Sequence, residues 1–136
     1  MIRVYADMVA DLFHPGHVQF LKRARALGDA LVVGIHSDET VRSYKRAPVM
    51  TMEERIGVVA ACRYVDEVVA DAPLAITREW IERHRLDLVV HGDDLEPELL
   101  RRMYAEPEEL GILRVVPYTN GISTTELIER VRRNGR

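Results

Sequence analysis

The feature that most constrains the fold of this chain is a regular alternation of short apolar segments with amphipathic ones. The apolar segments, rich in β-branched residues, are predicted strands at residues 2–9, 30–35, 65–70, 86–92 and 111–118. Helices are predicted between and after them, at residues 17–28, 51–64, 76–85, 96–110 and 123–133, and residues 38–44 are predicted to form a short helix or a turn. Strands that alternate with helices form parallel βαβ units. The sequence therefore predicts an α/β fold, a doubly wound parallel five-stranded sheet with helices on both faces.

Local signals add detail to the predicted helices. Five residues at helical spacing are predicted to form the buried face of the first helix: His17, Phe20, Leu21, Ala24 and Leu27. Gly28 is predicted to end that helix, and a break is expected near Pro107. Two capping boxes are predicted, at Thr51 with Glu54 and at Ser123 with Glu126.

Size and charge limit the classes of function. The chain has 136 residues and a net charge of −3, so we expect one domain over residues 1–136 without affinity for nucleic acid or membranes. No apolar run reaches the roughly 18 residues that span a bilayer, and we expect no signal peptide because charged residues begin at Arg3 and Asp7. The single cysteine, Cys62, excludes an internal disulfide and fits a cytoplasmic location. The abrupt basic end, "RVRRNGR", is typical of one domain cut from a longer chain.

Polar residues follow four of the predicted strands, at residues 11–17, 36–46, 91–94 and 118–125. Doubly wound sheets bind ligands beyond the carboxyl ends of their strands, near the point where the strand order reverses. The four loops are therefore expected to converge on one site. This convergence is a stronger argument for a site than any single motif.

The loop after the first strand contains "HPGH", with His14 and His17 on either side of Gly16. A glycine at the start of a helix lets a ligand approach the backbone, and the unpaired N–H groups there attract anions. The imidazoles can donate further hydrogen bonds to the same anion. Taken alone, two histidines at this position are more often structural or solvated.

The last loop contains "NGISTTE", in which hydroxyl residues begin a helix. A capped helix explains Ser123, but explains Thr124 and Thr125 less well. Two helix N-termini at one edge of the sheet, one with histidines and one with hydroxyls, suggest a polyphosphate between them.

Other charged residues allow two interpretations. Lys45 and Arg46 lie in a loop that is either solvated or a cationic lid over phosphates. Arg55 and Arg63 begin and end an apolar helix, where each is either functional or a surface charge paired with Glu53 or Asp66. The pair Asp93 and Asp94 either contacts a ligand or caps the next helix.

Several motifs together resemble a known family. "DLFHPGH", "LGDALVVGIHSDE", "PVMTMEER", "CRYVDEVV" and "GISTTELI" are similar to the cytidylyltransferases that act on phosphocholine, phosphoethanolamine and glycerol 3-phosphate. The resemblance covers about residues 2–132, and its HxGH and RTEGISTT motifs are specific when they occur in this order. It implies a Rossmann-like nucleotidyltransferase domain, usually a homodimer, that uses CTP with Mg²⁺ and releases pyrophosphate.

The resemblance also implies roles for individual residues. The catalytic residues would be His14, His17 and Lys45, which stabilise charge on the phosphates. The nucleotide would be bound by Asp11, Gly16, Arg63, Asp94, Gly121, Ile122, Ser123, Thr124 and Thr125. No residue is assigned as a resident metal ligand.

The sequence departs from the family near the expected active site. Met8 and Ala10 stand where the family commonly has a glycine and an aromatic residue, and Tyr118 replaces the arginine of RTEG. These three residues are therefore expected to bind the acceptor and to alter its identity. The sequence is also similar to the cytidylyltransferase domain fused to phosphoenolpyruvate mutase in the fosfomycin pathway. That likeness makes 2-hydroxyethylphosphonate the first expected acceptor, with phosphoethanolamine or glycerol 3-phosphate as the alternative.

Other functional classes compete with this one. A non-catalytic nucleotide-binding domain would explain the replaced residues, although both histidines and Lys45 argue against it. An adenylyltransferase shares HxGH, whereas "RYVDE" and "GISTT" favour cytidine. A phosphorelay receiver shares the layout but needs an acidic pocket with a partner lysine, an arrangement that Asp93 and Asp94 do not have.

Overall fold

A computed structural model describes residues 1–118 and 122–135 of the chain. Its strands are β1 (Arg3–Met8), β2 (Ala30–His36), β3 (Glu67–Ala72), β4 (Leu88–Gly92) and β5 (Leu113–Val116). Its helices are α1 (Pro15–Arg25), α2 (Asp38–Arg42), α3 (Met52–Ala60), α4 (Arg78–Arg83), α5 (Pro97–Glu109) and α6 (Thr124–Asn134). The five predicted strands and the five predicted helices are confirmed, and the segment predicted as a short helix or a turn forms helix α2.

The five strands form one parallel sheet in the order β3-β2-β1-β4-β5. The chain moves outward from β1 to β3, returns to pair β4 with β1, and then continues to β5. The strand order therefore reverses between β1 and β4, which is where sheets of this kind open a crevice at their carboxyl ends. The predicted doubly wound, Rossmann-like fold is confirmed.

Alternate residues of the buried strands supply two separate cores. Val4 and Ala6 of β1 belong to a cluster that includes α1 and α3, whereas Tyr5 lies in a second cluster with residues of α4 and α5. Successive side chains of a strand point to opposite faces, so each cluster covers one face of the sheet. The helices therefore lie on both faces, as predicted.

The capping predictions are confirmed in part. Thr51 and Glu54 form the complete reciprocal box at the start of α3. Ser123 accepts a hydrogen bond from the backbone N–H of Glu126, but the Glu126 carboxylate pairs with Arg130 and Arg133 instead of returning to Ser123. The second capping box is therefore only half formed.

The predicted end of the first helix is wrong. α1 ends at Arg25 with Ala26 as its C-cap, and Leu27 is 38% exposed instead of buried. Gly28 is required for another reason. A Cβ at this position would lie 2.6 Å from Val4 and 2.8 Å from Ile2, so the residue lets the chain pass close to the start of β1.

The predicted break in α5 occurs at Tyr104, whose φ of −121° is not helical, three residues before Pro107. Proline lacks an N–H and displaces the carbonyl four residues earlier, which is that of Met103. That carbonyl accepts a hydrogen bond from Ile76 N–H at 2.9 Å. The kink therefore ties α5 to the segment before α4.

Candidate active site

An open cavity of about 270 Å³ lies at the carboxyl ends of the strands, at the reversal of strand order. Each of the four predicted loops contributes residues to its wall, for example His17, Lys45, Asp94 and Thr124. The predicted convergence is therefore confirmed for the described residues. Gly121 belongs to the predicted set but lies outside them.

The two histidines lie at the start of helix α1, and each ring accepts a hydrogen bond from a nearby backbone N–H group. His14 is the N-cap, and its Nδ1 accepts a hydrogen bond from Gly16 N–H at 3.0 Å. The Nδ1 of His17 accepts from His14 N–H at 3.1 Å. Because each Nδ1 is an acceptor, each neutral ring carries its proton on Nε2. The sequence thus makes both imidazoles donors.

The site keeps these imidazoles uncharged. Burial, with His14 and Lys45 nearby, lowers the pKa of His17 to about 3, and burial also lowers the pKa of His14. His17 lines the cavity, whereas the buried Nε2 of His14 has no partner among the described residues. His17 is therefore a neutral hydrogen-bond donor in the cavity, and the two rings are in contact at a centroid distance of 3.9 Å and a tilt of 37°.

Gly16 is required by the same turn. A Cβ on this residue would lie 2.7 and 2.9 Å from ring atoms of His14. Those distances are too short, so a side chain here would displace the ring from the backbone N–H that it caps. The predicted role of Gly16 in close approach is thus realised first toward His14, and its contact with a nucleotide stays a prediction.

Helix α6 points its N-terminus at the cavity. Ser123, Thr124 and Thr125 line the wall, whereas the half-buried Ile122 does not. The hydroxyl of Thr124 donates to the carbonyl of Asp11 at 2.8 Å, which joins α6 to the loop after β1. The first turns of α1 and α6 are therefore brought to one cavity, as the sequence predicts.

Asp11 lines the cavity, but its carboxylate is hydrogen-bonded to the backbone of the protein. Its two oxygens accept hydrogen bonds from the backbone N–H groups of Val49 and Met50, at 2.8 and 2.9 Å. Asp11 thereby fixes the end of the loop that carries Lys45. The structure therefore gives Asp11 a positioning role in addition to its predicted role in nucleotide binding.

Lys45 supplies a cation to the cavity. No carboxylate of the described chain lies within ion-pair distance of its Nζ, and burial together with Arg46 lowers its pKa. Arg46 lines the same cavity and donates to the Thr125 hydroxyl at 3.3 Å. The loop after α2 thus reaches the start of α6 and places an unpaired ammonium in the cavity.

The three predicted acceptor-binding residues all line the cavity. Ala10 has a φ of +60°, which bends the chain sharply after Met8 and the end of β1. The Tyr118 hydroxyl faces the "HPGH" turn, 3.3 Å from the place of a Cβ on Gly16. Burial and the nearby Asp94 raise the pKa of Tyr118, so it enters the site as a neutral phenol.

The remaining predicted residues are divided. Asp94 is exposed at the cavity wall, whereas Asp93 accepts from the Tyr118 backbone N–H at 2.9 Å. Neither caps α5, whose N-cap is Glu96. Arg63 is exposed in the turn after α3, at the amino edge of the sheet, and does not line the cavity. Within one chain the structure does not bring Arg63 to the nucleotide site that the sequence predicts for it.

Arg55 is the most important residue whose place the sequence did not predict. Its side chain is fully buried and donates to the carbonyls of Val9, His36 and Met50 at 2.8, 2.9 and 3.3 Å. It also pairs with Asp38 at 2.6 Å, not with Glu53. A signal was present, because Arg55 shares helical spacing with the apolar stripe Met52, Ile56 and Val59.

A buried polar network in the cavity wall was also missed. Asp7, near the end of β1, accepts hydrogen bonds from Tyr104 at 2.5 Å and from His36 Nε2 at 3.0 Å. The other nitrogen of His36 accepts from the Tyr44 hydroxyl at 2.7 Å. Burial and the Asp7 carboxylate raise the pKa of Tyr44 and Tyr104, so both phenols stay protonated. This part of the cavity wall is therefore polar and contains a buried carboxylate.

The fold and the site together are those of an α/β domain whose cavity is suited to phosphate groups. Two helix N-termini, a neutral imidazole donor and a lysine surround a cavity at the reversal of strand order, and such groups suit phosphate oxygens. The chain matches the Cytidylyltransferase-like family over residues 6–130. It therefore belongs to that family.

Individual relatives agree with the family assignment. The chain is 46% identical over 133 residues to the ethanolamine-phosphate cytidylyltransferase of Dictyostelium discoideum, covering 94% of this chain and 37% of that protein. It is 41% identical over 136 residues to choline-phosphate cytidylyltransferase A of Homo sapiens, covering 98% and 37%. The chain thus spans well under half the length of these relatives. They do not support the predicted fosfomycin-pathway fusion.

Solved structures show the same fold. A lipopolysaccharide core biosynthesis protein of Thermoplasma volcanium matches with a TM-score of 0.70 and 26% identity, over 90% of this chain and 99% of that one. Pantothenate synthetase of Thermus thermophilus matches with a TM-score of 0.62 and 14% identity, over 93% and 61%. Within the part of this chain that is described, no helix combines the length and apolar character needed to cross a bilayer.

Proposed function

We propose that this chain transfers CMP from CTP to a small phosphate monoester and releases pyrophosphate. The observation that carries the proposal is the convergence of His17, Lys45 and the N-terminus of α6 on one cavity in a chain of the cytidylyltransferase-like family. All three are donors or cations, which is what a triphosphate and a second phosphate require. The homodimer and the cytoplasmic location stay predictions of the sequence.

The proposed reaction needs no general base on the protein. A phosphate monoester has a second pKa of about 6, so its oxygen is already ionised at neutral pH. That oxygen forms a bond to the α-phosphorus of CTP while the bond to the bridging α–β oxygen breaks, and pyrophosphate leaves with the electron pair. The neutral His17 Nε2–H and the Lys45 ammonium would stabilise the oxygens that gain charge, and no covalent enzyme intermediate forms.

Magnesium fits the proposal as part of the substrate. Nowhere in residues 1–118 and 122–135 do three or more His, Cys, Asp or Glu side chains group as ligands of a metal ion. Mg²⁺ is commonly held by substrate phosphates with one or two carboxylates, and Asp94 is an exposed carboxylate at this cavity. We therefore expect Mg²⁺ to arrive on CTP and to neutralise its phosphates.

We propose phosphoethanolamine as the acceptor, in place of the 2-hydroxyethylphosphonate that the sequence favoured. The support is the set of relatives, whose names specify ethanolamine-phosphate and choline-phosphate. The cavity wall adds a buried carboxylate, that of Asp7, which suits a cationic tail better than a second anion.

The test measures pyrophosphate release by the purified chain with each of two donors and several acceptors. The donors are CTP and ATP, and the acceptors are phosphoethanolamine, phosphocholine, glycerol 3-phosphate and 2-hydroxyethylphosphonate. We expect turnover with CTP and the highest kcat/KM with phosphoethanolamine. CTP binding without turnover on any acceptor would overturn the enzyme proposal in favour of a non-catalytic nucleotide-binding domain. A preference for ATP would make the chain an adenylyltransferase.

Replacing Tyr118 with arginine should shift acceptor preference toward phosphate monoesters over phosphonates. A guanidinium near Gly16 can donate to a phosphate oxygen and to the ester oxygen, and a phosphonate has no ester oxygen at that position. We expect kcat/KM for phosphoethanolamine relative to 2-aminoethylphosphonate to rise about tenfold, as one charged hydrogen bond allows. Tyr118→Phe is the control for loss of the hydroxyl alone. Unchanged relative rates in Tyr118→Arg would show that position 118 does not select the acceptor.

A further inference from the structure

One histidine of the cavity differs from the pair in the "HPGH" turn. His91, at the end of β4, lines the cavity and is 4% exposed. Its Nδ1 lies 2.6 Å from the carbonyl oxygen of Gly92. A carbonyl only accepts, so Nδ1 carries the proton, and the neutral ring leaves a lone pair on Nε2. His14 and His17 have the opposite arrangement.

The Nε2 lone pair of His91 is unused within the protein. It is buried and has no hydrogen-bond partner among the described residues. A buried polar atom without a partner is costly and therefore rare, so a polar partner from outside the chain is expected. Other buried nitrogens lack partners in the described chain, including Nε2 of His84, but of these residues His91 is the one in the cavity wall.

The surroundings of His91 show which end of the acceptor would reach it. The ring stacks on Tyr104 at a centroid distance of 4.8 Å and an angle of 20°, and the Tyr104 hydroxyl donates to Asp7. Each Asp7 oxygen already has one partner, Tyr104 or His36, whereas His91 Nε2 has none. A carboxylate and a lone pair repel phosphates and attract a hydrogen-bond donor.

We infer that His91 is a specificity-determining residue whose Nε2 accepts a hydrogen bond from an amine or hydroxyl at the non-phosphate end of the acceptor substrate. This inference rests on the proposed function. It separates phosphoethanolamine, which has N–H donors, from phosphocholine, whose trimethylammonium carries the same charge and no donor. Charge alone would not make that distinction.

The kinetic test compares three acceptors with and without a donor: phosphoethanolamine, 2-hydroxyethyl phosphate and propyl phosphate. His91→Phe keeps a ring against Tyr104 and removes the acceptor nitrogen. We expect it to lower kcat/KM for phosphoethanolamine and 2-hydroxyethyl phosphate roughly 10- to 100-fold, and to change propyl phosphate by less than about threefold. His91→Gln, which returns an acceptor oxygen near Nε2, should restore part of the loss.

His84→Phe is the matched control, because His84 also has an unpartnered Nε2 but does not line the cavity. Its acceptor ratios should equal those of the wild type, and thermal unfolding of each variant shows that it is folded. Equal losses on all three acceptors in His91→Phe would overturn the inference, as would a raised KM for CTP with unchanged ratios. Wild-type protein without turnover on any acceptor overturns the proposed function, and this inference with it.

A second readout does not depend on turnover. Long-range ¹H–¹⁵N spectra of the histidine-labelled wild-type chain, taken near pH 8, where an imidazole is ordinarily neutral, report which ring nitrogen carries the proton. We expect the proton on Nδ1 in His91 and on Nε2 in His17. A proton on Nε2 of His91 would make it a donor and would overturn the inference.

Discussion

Replacing His17 with asparagine should lower kcat by roughly 10²- to 10³-fold, the usual cost of removing one donor to a charged transition state. Asparagine keeps an oxygen near the position of Nδ1, so it can still accept the His14 N–H that begins α1. It has nothing at the position of Nε2. The substitution therefore removes the donor with little effect on the helix start, unlike His17→Ala.

Single-turnover kinetics with saturating CTP and phosphoethanolamine measure the loss directly. CTP affinity from calorimetry should change by less than about threefold, because a group acting mainly in the transition state contributes little to ground-state binding. His17→Gln, whose longer amide can return an N–H near Nε2, is the matched control and should recover part of the rate. If His17→Asn turns over at the wild-type rate, the proposed role of His17 is wrong.

Replacing Arg55 with methionine should lower the free energy of unfolding by about 3–5 kcal/mol. This is the usual cost of removing one member of a buried ion pair, because its hydrogen-bonding partners then stay buried without it. Three backbone carbonyls lose their donor, those of Val9, His36 and Met50. They belong to the loop after β1, the end of β2 and the loop before α3. The same substitution should therefore also weaken CTP binding.

Urea unfolding followed by circular dichroism gives the free energy. Arg63→Met is the matched control, because Arg63 is exposed and forms no hydrogen bond or ion pair with residues 1–118 or 122–135. That variant should change stability by less than about 0.5 kcal/mol. Similar losses in the two variants would contradict the role given to Arg55.

Much of this architecture could be predicted because the signals are local. The box of Thr51 and Glu54 needs only its own turn of chain, and its hydrogen bonds form as predicted. The pair His14 and His17 is equally local, since both rings bind backbone N–H groups within three residues. Gly28 shows the limit of such reasoning. Its position suggested a helix end, whereas the structure requires a glycine here because a side chain would collide with Ile2 and Val4 at the start of β1.

The candidate site was predicted less evenly. His17, Lys45, Tyr118 and Thr124 line the cavity as expected, because each follows a strand whose carboxyl end reaches one edge of the sheet. Arg63 does not, because α3 runs back across the sheet and leaves the turn after it at the opposite edge. The position of an arginine at the start or end of a helix therefore does not indicate whether its side chain lies at the carboxyl or the amino edge of the sheet.

The order of strands and helices, the helix caps and the donor tautomers of the "HPGH" pair follow from residues that are neighbours along the chain. Tertiary structure was needed for the burial of Arg55 and for the lone pair of His91. Arg55 binds carbonyls 5, 19 and 46 residues away. The surroundings of His91 depend on α5, which stacks Tyr104 on the ring. Contacts between distant segments depend on strand order, which no short stretch of sequence specifies.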